Sequence, residues 1–178
     1  ETENFSKAMK VFERVNEIEE DEPEYIEKYA RALEFFGDLR TAAIQYMLLT
    51  TIVSGMRQTQ KAIEFYKKVI ELIPNETMAR ERLAGLYESE KRVTEAAEEY
   101  SRLADIYYEN NAWEDCQEIL RNIIAMNEDD LESRKRLAEV LIRSGAKEEG
   151  ILEYQVVAGR LYSTEDPAQM EEALAIYK

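Results

Sequence analysis

The sequence predicts an all-α chain in which one unit of three helices is stacked on itself. Three observations carry this. Matching residues recur 54 positions apart, as in Ala30, Ala84 and Ala138, in Tyr46, Tyr100 and Tyr154, and in Ala8, Ala62 and Cys116. Phe12, Tyr66 and Leu120 follow the same comb, and so do Val15, Val69 and Ile123. Small residues return at small positions and large apolar ones at large positions, so the period describes packing between units. The composition agrees: 178 residues hold only three prolines and six glycines, which suits helices and leaves little for strands and turns. Finally, between the breaker residues the apolar positions fall three and four apart, the spacing of an amphipathic helix.

Each element follows from its own start and stop signals. The first full copy spans 22–75. Its helix A, about Glu24 to Phe36, opens at Glu22-Pro23, because Pro at the first helical position gives up no hydrogen bond, and ends at Gly37, the residue that most easily takes the left-handed cap. Helix B, about Leu39 to Ser54, is longer and more apolar and stops near Gly55. Helix C, about Thr59 to Ile73, carries Ala62, Ile63, Tyr66, Val69 and Ile70 on one face and is closed by Pro74. The second copy, 76–129, repeats these as about Thr77 to Ser89, Val93 to Asn110 and Trp113 to Met126, with Asn111 and Glu114 spaced as a capping box. The third, 130–178, runs through about Leu131 to Arg143 and Lys147 to Tyr162, gains three residues in the next loop, and starts helix C again at Asp166-Pro167. Residues 1–21 are expected to hold the last helix of a preceding unit, around Phe5 to Ile18. About ten helices in one array over 1–178, cut from a longer one, is the expectation.

Charge and residue types narrow the function classes. With 23 Lys plus Arg against 38 Asp plus Glu, the net charge of −15 repels nucleic-acid phosphates and favours a basic or mixed-charge protein partner. No histidine is present, which removes the usual neutral-pH base and the commonest transition-metal ligand; one cysteine excludes an internal disulfide. Cys116 stands where other copies have alanine, as a small buried thiol with no base to activate it. No Gly-rich phosphate loop accompanies it. The acidic turns Glu19–Glu22 and Glu128–Asp130 lack the spaced ligands of a calcium loop and are expected to serve the following helix N-termini. Neither an enzyme nor a cofactor is expected. The longest apolar stretch, Tyr46 to Val53, is too short to span a bilayer; cytoplasmic location is the default expectation.

At Gln60 to Glu76 the reading QKAIEFYKKVIELIPNE resembles the second helix and exit turn of a tetratricopeptide repeat, with Ala62, Tyr66, the Val69–Ile70 pair and Pro74 in the family's places. Leu83, Ala84 and Tyr87 continue the pattern, and Ala62 to Ala96 spans the family's 34 residues; Ala96 to Cys116 spans only 20. Helix B would then end one helix pair and begin the next. The resemblance covers essentially the whole chain and implies a right-handed α-α superhelix, whose first helices line a concave groove. Two departures stand out: the early aromatic of the first helix is Ile26, Arg80 or Arg134, and Glu128 replaces the exit proline. The family's clamp for C-terminal carboxylates is not reproduced.

The candidate partner-binding residues are Arg31, Arg80, Arg82, Arg134, Lys135 and Arg143, a basic strip on the first helices that would receive an acidic segment or carboxylate. The plainer account is a solvated face stitched by Glu132–Arg136 and Glu139–Arg143 pairs, each worth about 0.3–0.5 kcal/mol. Tyr46, Tyr66, Tyr87, Tyr100, Tyr107 and Tyr154 fall on core positions; Tyr29, Phe35, Phe36 and Tyr108 are the expected surface aromatics, and Trp113 is expected to anchor its turn. The function expected is a non-enzymatic scaffold that binds a peptide or helix of another protein. A regulatory or sensor module docking on another domain of a larger polypeptide, and a self-assembling array joined through uncapped ends, are the alternatives.

Overall fold

A computed structural model describes Lys10 and residues 22–163. Eight helices and no strand occur between 22 and 163: α1 (Pro23–Phe36), α2 (Leu39–Gly55), α3 (Thr59–Leu72), α4 (Thr77–Ser89), α5 (Val93–Glu109), α6 (Trp113–Met126), α7 (Leu131–Ser144) and α8 (Lys147–Tyr162). Apart from Lys10, the helices expected around Phe5 to Ile18 and after Pro167 lie outside the described residues. The chain divides into two compact units, Glu1–Glu90 and Lys91–Lys178. Within the first, α1 packs on α2, α2 on α3 and α3 on α4; within the second, α5 packs on α6, α6 on α7 and α7 on α8.

The first unit is built around α2, which has neighbours on two sides. Ala42, Ala43, Tyr46, Leu49 and Val53 are buried along it, and Tyr29 and Leu33 of α1 close over Ala42 with Leu72 of α3 against them. Tyr29 is only 8% exposed, which corrects its expected place on the surface: its ring fills the space over the small Ala42. Phe35 and Phe36 are exposed as expected and meet edge to face at 5.1 Å. Tyr46 packs its ring near Phe65, at 5.8 Å, and donates its hydroxyl to Glu34. Burial first, and then that carboxylate, push the phenol well above its ordinary range.

In the second unit the buried residues include Leu103 and Ala104 of α5, Cys116 and Leu120 of α6, Leu137, Ala138 and Leu141 of α7, and Val157, Ala158 and Leu161 of α8. Cys116 is fully buried and donates its thiol to the Ala104 carbonyl at 3.4 Å; burial pushes the thiol up to about 11. Trp113 meets Tyr108 edge to face at 5.6 Å across the α5–α6 turn. Gly150 marks a close helix approach, since a Cβ there would stand 2.7 Å from both the Ala138 carbonyl oxygen and Ile142 Cγ1.

The turns after α1, α2, α4, α5 and α7 share one device. A left-handed residue follows each of these helices, and the next amide bonds back five residues, as in Asp38 N to Leu33 O, Gln58 N to Val53 O, Ala112 N to Tyr107 O and Ala146 N to Leu141 O, all at 2.9 Å. This is the Schellman closure, which satisfies carbonyls the helix end would leave unpaired. The left-handed residues are Gly37, Lys91 and Gly145 in one set and Arg57 and Asn111 in the other, each member 54 positions from the next. Asn111 therefore does not build the expected capping box. It is spent on closing α5, and α6 starts from Ala112, which makes no side-chain cap. Side-chain caps occur at Asp38, which accepts from Thr41 N at 3.2 Å, and at Asp130, which accepts from Ser133 N at 3.0 Å, as the acidic turn before α7 implied.

Candidate partner-binding face

Five of the six candidate cations are held by acceptors in their own unit. Arg80 is buried, and its Nε and Nη2 donate to the Pro74 carbonyl at 3.1 and 2.9 Å, stapling the turn between α3 and α4. Arg134 of α7 reaches Glu153 of α8 at 2.9 Å, with its side chain 17% exposed. Ile26 holds the corresponding place in α1 and is fully buried. At this repeat position the guanidinium stem takes the apolar site while the head finds a local acceptor. Arg31 is exposed and pairs with Glu27 at 2.5 Å, and Arg143 is half exposed and pairs with Glu139 at 2.9 Å. Lys135 is partly buried, with Nζ 3.9 Å from Glu132. Arg82 is exposed and has no ion-pair partner among the described residues.

The structure brings Arg143 together with residues the basic strip did not include. Ser101, Asp105 and Tyr108 fall three and four apart along α5 and face Arg136 and Glu139 of α7. Arg136 donates to Ser101 Oγ at 3.2 Å and to Asp105. The expected Glu132–Arg136 pair is replaced, because the acceptors across the helix interface are the ones this side chain reaches. Tyr108 donates to Glu139 Oε1 at 2.6 Å, and Arg143 Nε donates to the same oxygen. The Arg143 guanidinium lies 5.2 Å from the centre of the Tyr108 ring, within cation–π range. Tyr108 is thus only partly exposed, its ring held between Trp113 and Arg143.

The electrostatics follow from those contacts. The Tyr108 hydroxyl above all holds the Glu139 carboxyl below its ordinary range; burial opposes it, and Arg143 and the nearby Arg136 add to the lowering. The same hydrogen bond raises the Tyr108 phenol. The result is a polar face with both signs of charge and a positioned aromatic. The spacing of Ser101, Asp105 and Tyr108 was visible in the sequence; their partners on α7 were not.

No protein-family model matches the sequence, and no curated protein matches it. Solved structures do. The chain is similar to a signal-transduction ATPase with a tetratricopeptide repeat sensor from Pyrococcus horikoshii, at 16% identity and a TM-score of 0.51, covering 87% of this chain and 27% of that one. MamA from Desulfovibrio magneticus RS-1 matches at 16% identity and TM-score 0.39, over 89% of this chain and 97% of its own. The N-terminal domain of stress-induced protein-1 from C. elegans matches at 18% and 0.39, over 79% and 98%. Among the described residues no helix is long and apolar enough to cross a membrane. Helix order, Schellman turns and the similarity to the repeat sensor lead to one statement: the chain has the all-α fold of tetratricopeptide repeat proteins.

Proposed function

We propose that the chain is a non-enzymatic protein-interaction scaffold, and that the α5–α7 face of the second unit takes a peptide or helix of a partner. The observation that carries this is the Tyr108–Glu139–Arg143 arrangement. A half-exposed guanidinium is held over an aromatic ring and fixed by a carboxylate, so both groups are presented with little rotamer freedom left to lose on binding. Arg and Tyr are the side chains that most often anchor protein interfaces. On this reading Arg143 and Lys135 contact an acidic or carboxylate group of the partner. Arg31 and Arg82 offer similar contacts on the first unit, while Arg80 and Arg134 position the helices that carry them.

The test is partner capture with the full chain and with a K135E/R143E variant, the bound proteins being compared by quantitative mass spectrometry. Loss of a partner that the native chain retains, with helical circular dichroism unchanged, supports the reading. Unchanged recovery removes Lys135 and Arg143 from it.

A further inference from the structure

Beside this face, α5 parts from the end of α6 and the start of α7 and leaves an open cleft of about 390 Å3. Ser101 belongs to both: its hydroxyl accepts from Arg136 on the face and its other side lines the cleft. The walls are apolar, formed by Val93 and Ala97 of α5 with the buried Ile123 and the partly buried Met126 of α6. The ionisable side chains that line the cleft are both acidic, Glu98 and Asp130, and the hydroxyls of Thr94 and Ser101 line it too, the latter with the Arg136 guanidinium 3.2 Å away on the side of the face.

We infer that this cleft receives the Lys or Arg side chain of the partner segment, with the aliphatic stem on the apolar walls and the charged head at Glu98. The inference rests on the scaffold reading above and names the chemistry of what is bound next to the face. Glu98 is exposed and makes no ion pair among the described residues; Arg102, one turn further along α5, pairs with Glu99 instead at 3.9 Å. Asp130 is engaged, accepting from the backbone N and the Oγ of Ser133 at 3.0 and 2.7 Å. That engagement offsets the partial positive charge of the α7 N-terminus, which would otherwise oppose a cation, and the C-terminal end of α6 adds partial negative charge at the opposite wall. A long basic side chain is the group that satisfies an apolar stem site and an acidic head site together. The net charge of −15 points the same way by drawing cationic segments toward the chain.

The experiment titrates the isotope-labelled full chain with N-acetyl-lysine methylamide, and separately with its norleucine and glutamate counterparts, following backbone amide shifts by NMR. Saturable shifts confined to 93–101 and 123–133 are expected with the lysine compound, and much smaller ones with the other two. Glu98→Gln should weaken the lysine compound roughly two- to fivefold, the size of an exposed ion pair. Ser101→Met, which places a long side chain in the cleft, should abolish the shifts while the spectrum stays dispersed. Equal response to norleucine, shifts scattered over the acidic surface, or saturation untouched by both substitutions would overturn the inference. The two readings separate in outcome: lysine binding lost while capture still depends on Lys135 and Arg143 removes the cleft alone. Lysine binding kept while capture ignores them removes the face alone.

Discussion

The long helices α2 and α5 stand 54 positions apart and bury the same stripe, Ala42, Tyr46, Leu49 and Thr50 in one and Ala96, Tyr100, Leu103 and Ala104 in the other. Their exposed stripes share little. Where α2 carries Ile44, Met47 and Leu48, α5 carries Glu98, Ser101 and Arg102. The contrast is sharpest at Met47 and Ser101, because replacing a long side chain by a hydroxymethyl beside α6 contributes room to the cleft, and Glu98 in place of Ile44 makes its rim acidic. The buried positions of these two helices therefore match in kind. What each unit shows to solvent is free to differ, and the differences are where a partner can be read.

The largest expected effect lies in the shared stripe. Leu49→Ala and Leu103→Ala each empty a fully buried site, and each should cost roughly 2–5 kcal/mol in urea unfolding. Comparable losses would support equal packing of the two helices. A loss under about 1 kcal/mol at either site would break the comparison, since it would mean that one stripe collapses around the gap.

A second pair tests the helix contacts rather than their cores. Gly150 in α8 corresponds to Ala42 in α2, which carries a Cβ, whereas a Cβ at Gly150 would stand 2.7 Å from a backbone oxygen and a side-chain carbon of α7. Gly150→Ala gains helix propensity of about 1 kcal/mol and loses about 1–3 kcal/mol to overpacking, so the net expected change is destabilising. A rise in the urea midpoint would show that α7 and α8 can move apart freely.

The turns give a smaller effect with a predicted sign. Lys91 holds φ 59° where Gly37 and Gly145 hold 84° and 99°. A side chain in the left-handed region costs about 1–2 kcal/mol relative to the right-handed one, and Gly avoids that cost. Lys91→Gly should therefore stabilise by up to about 1 kcal/mol, and Gly37→Ala should destabilise by a similar amount. Arg57→Gly should gain more than Asn111→Gly, because Asn already tolerates this conformation. Thermal melts of the four variants give the ranking.

Those turns also mark how far the sequence could be read. Helix ends were legible to within a residue or two because Pro23, Gly37 and the apolar spacing act locally, through φ preferences and burial periodicity. Lys91, Arg57 and Asn111 were not legible as left-handed residues, since nothing in their side chains demands that conformation; the back-bonded amide that follows imposes it. Tyr29 was misplaced because its burial depends on the small Ala42 of the next helix. The roles of Arg80 and Arg134 were half legible: a cation at the place of a buried Ile26 announces a stem that packs, but its acceptor depends on a neighbouring turn or helix. The Arg136–Asp105 contact and the cleft depend on packing between helices, so sequence spacing alone could not show them.

The smallest effect lies on the candidate face, and its direction can be worked out from the contacts. Glu139 has no counterpart charge of the same sign in the other copies, where Arg31 and Gly85 occupy its place. Its folded carboxyl is held below its ordinary range, chiefly by the Tyr108 hydroxyl and then by Arg143. A depressed carboxyl binds its proton more weakly in the folded state than in the unfolded one. The stability it contributes is thus present above the unfolded carboxylate range and is lost as pH falls through the folded value. The carboxylate is 43% exposed, so solvent screening keeps the contribution to a fraction of a kcal/mol. Glu139→Gln should flatten a small part of the acid limb of a pH series of urea midpoints, and Tyr108→Phe should flatten less of it while leaving the Arg143 pair in place. An acid limb identical in all three proteins would mean that the Tyr108–Glu139–Arg143 contacts do not persist in solution, and would remove the preorganised anchor that separates this face from the corresponding surface of the first unit.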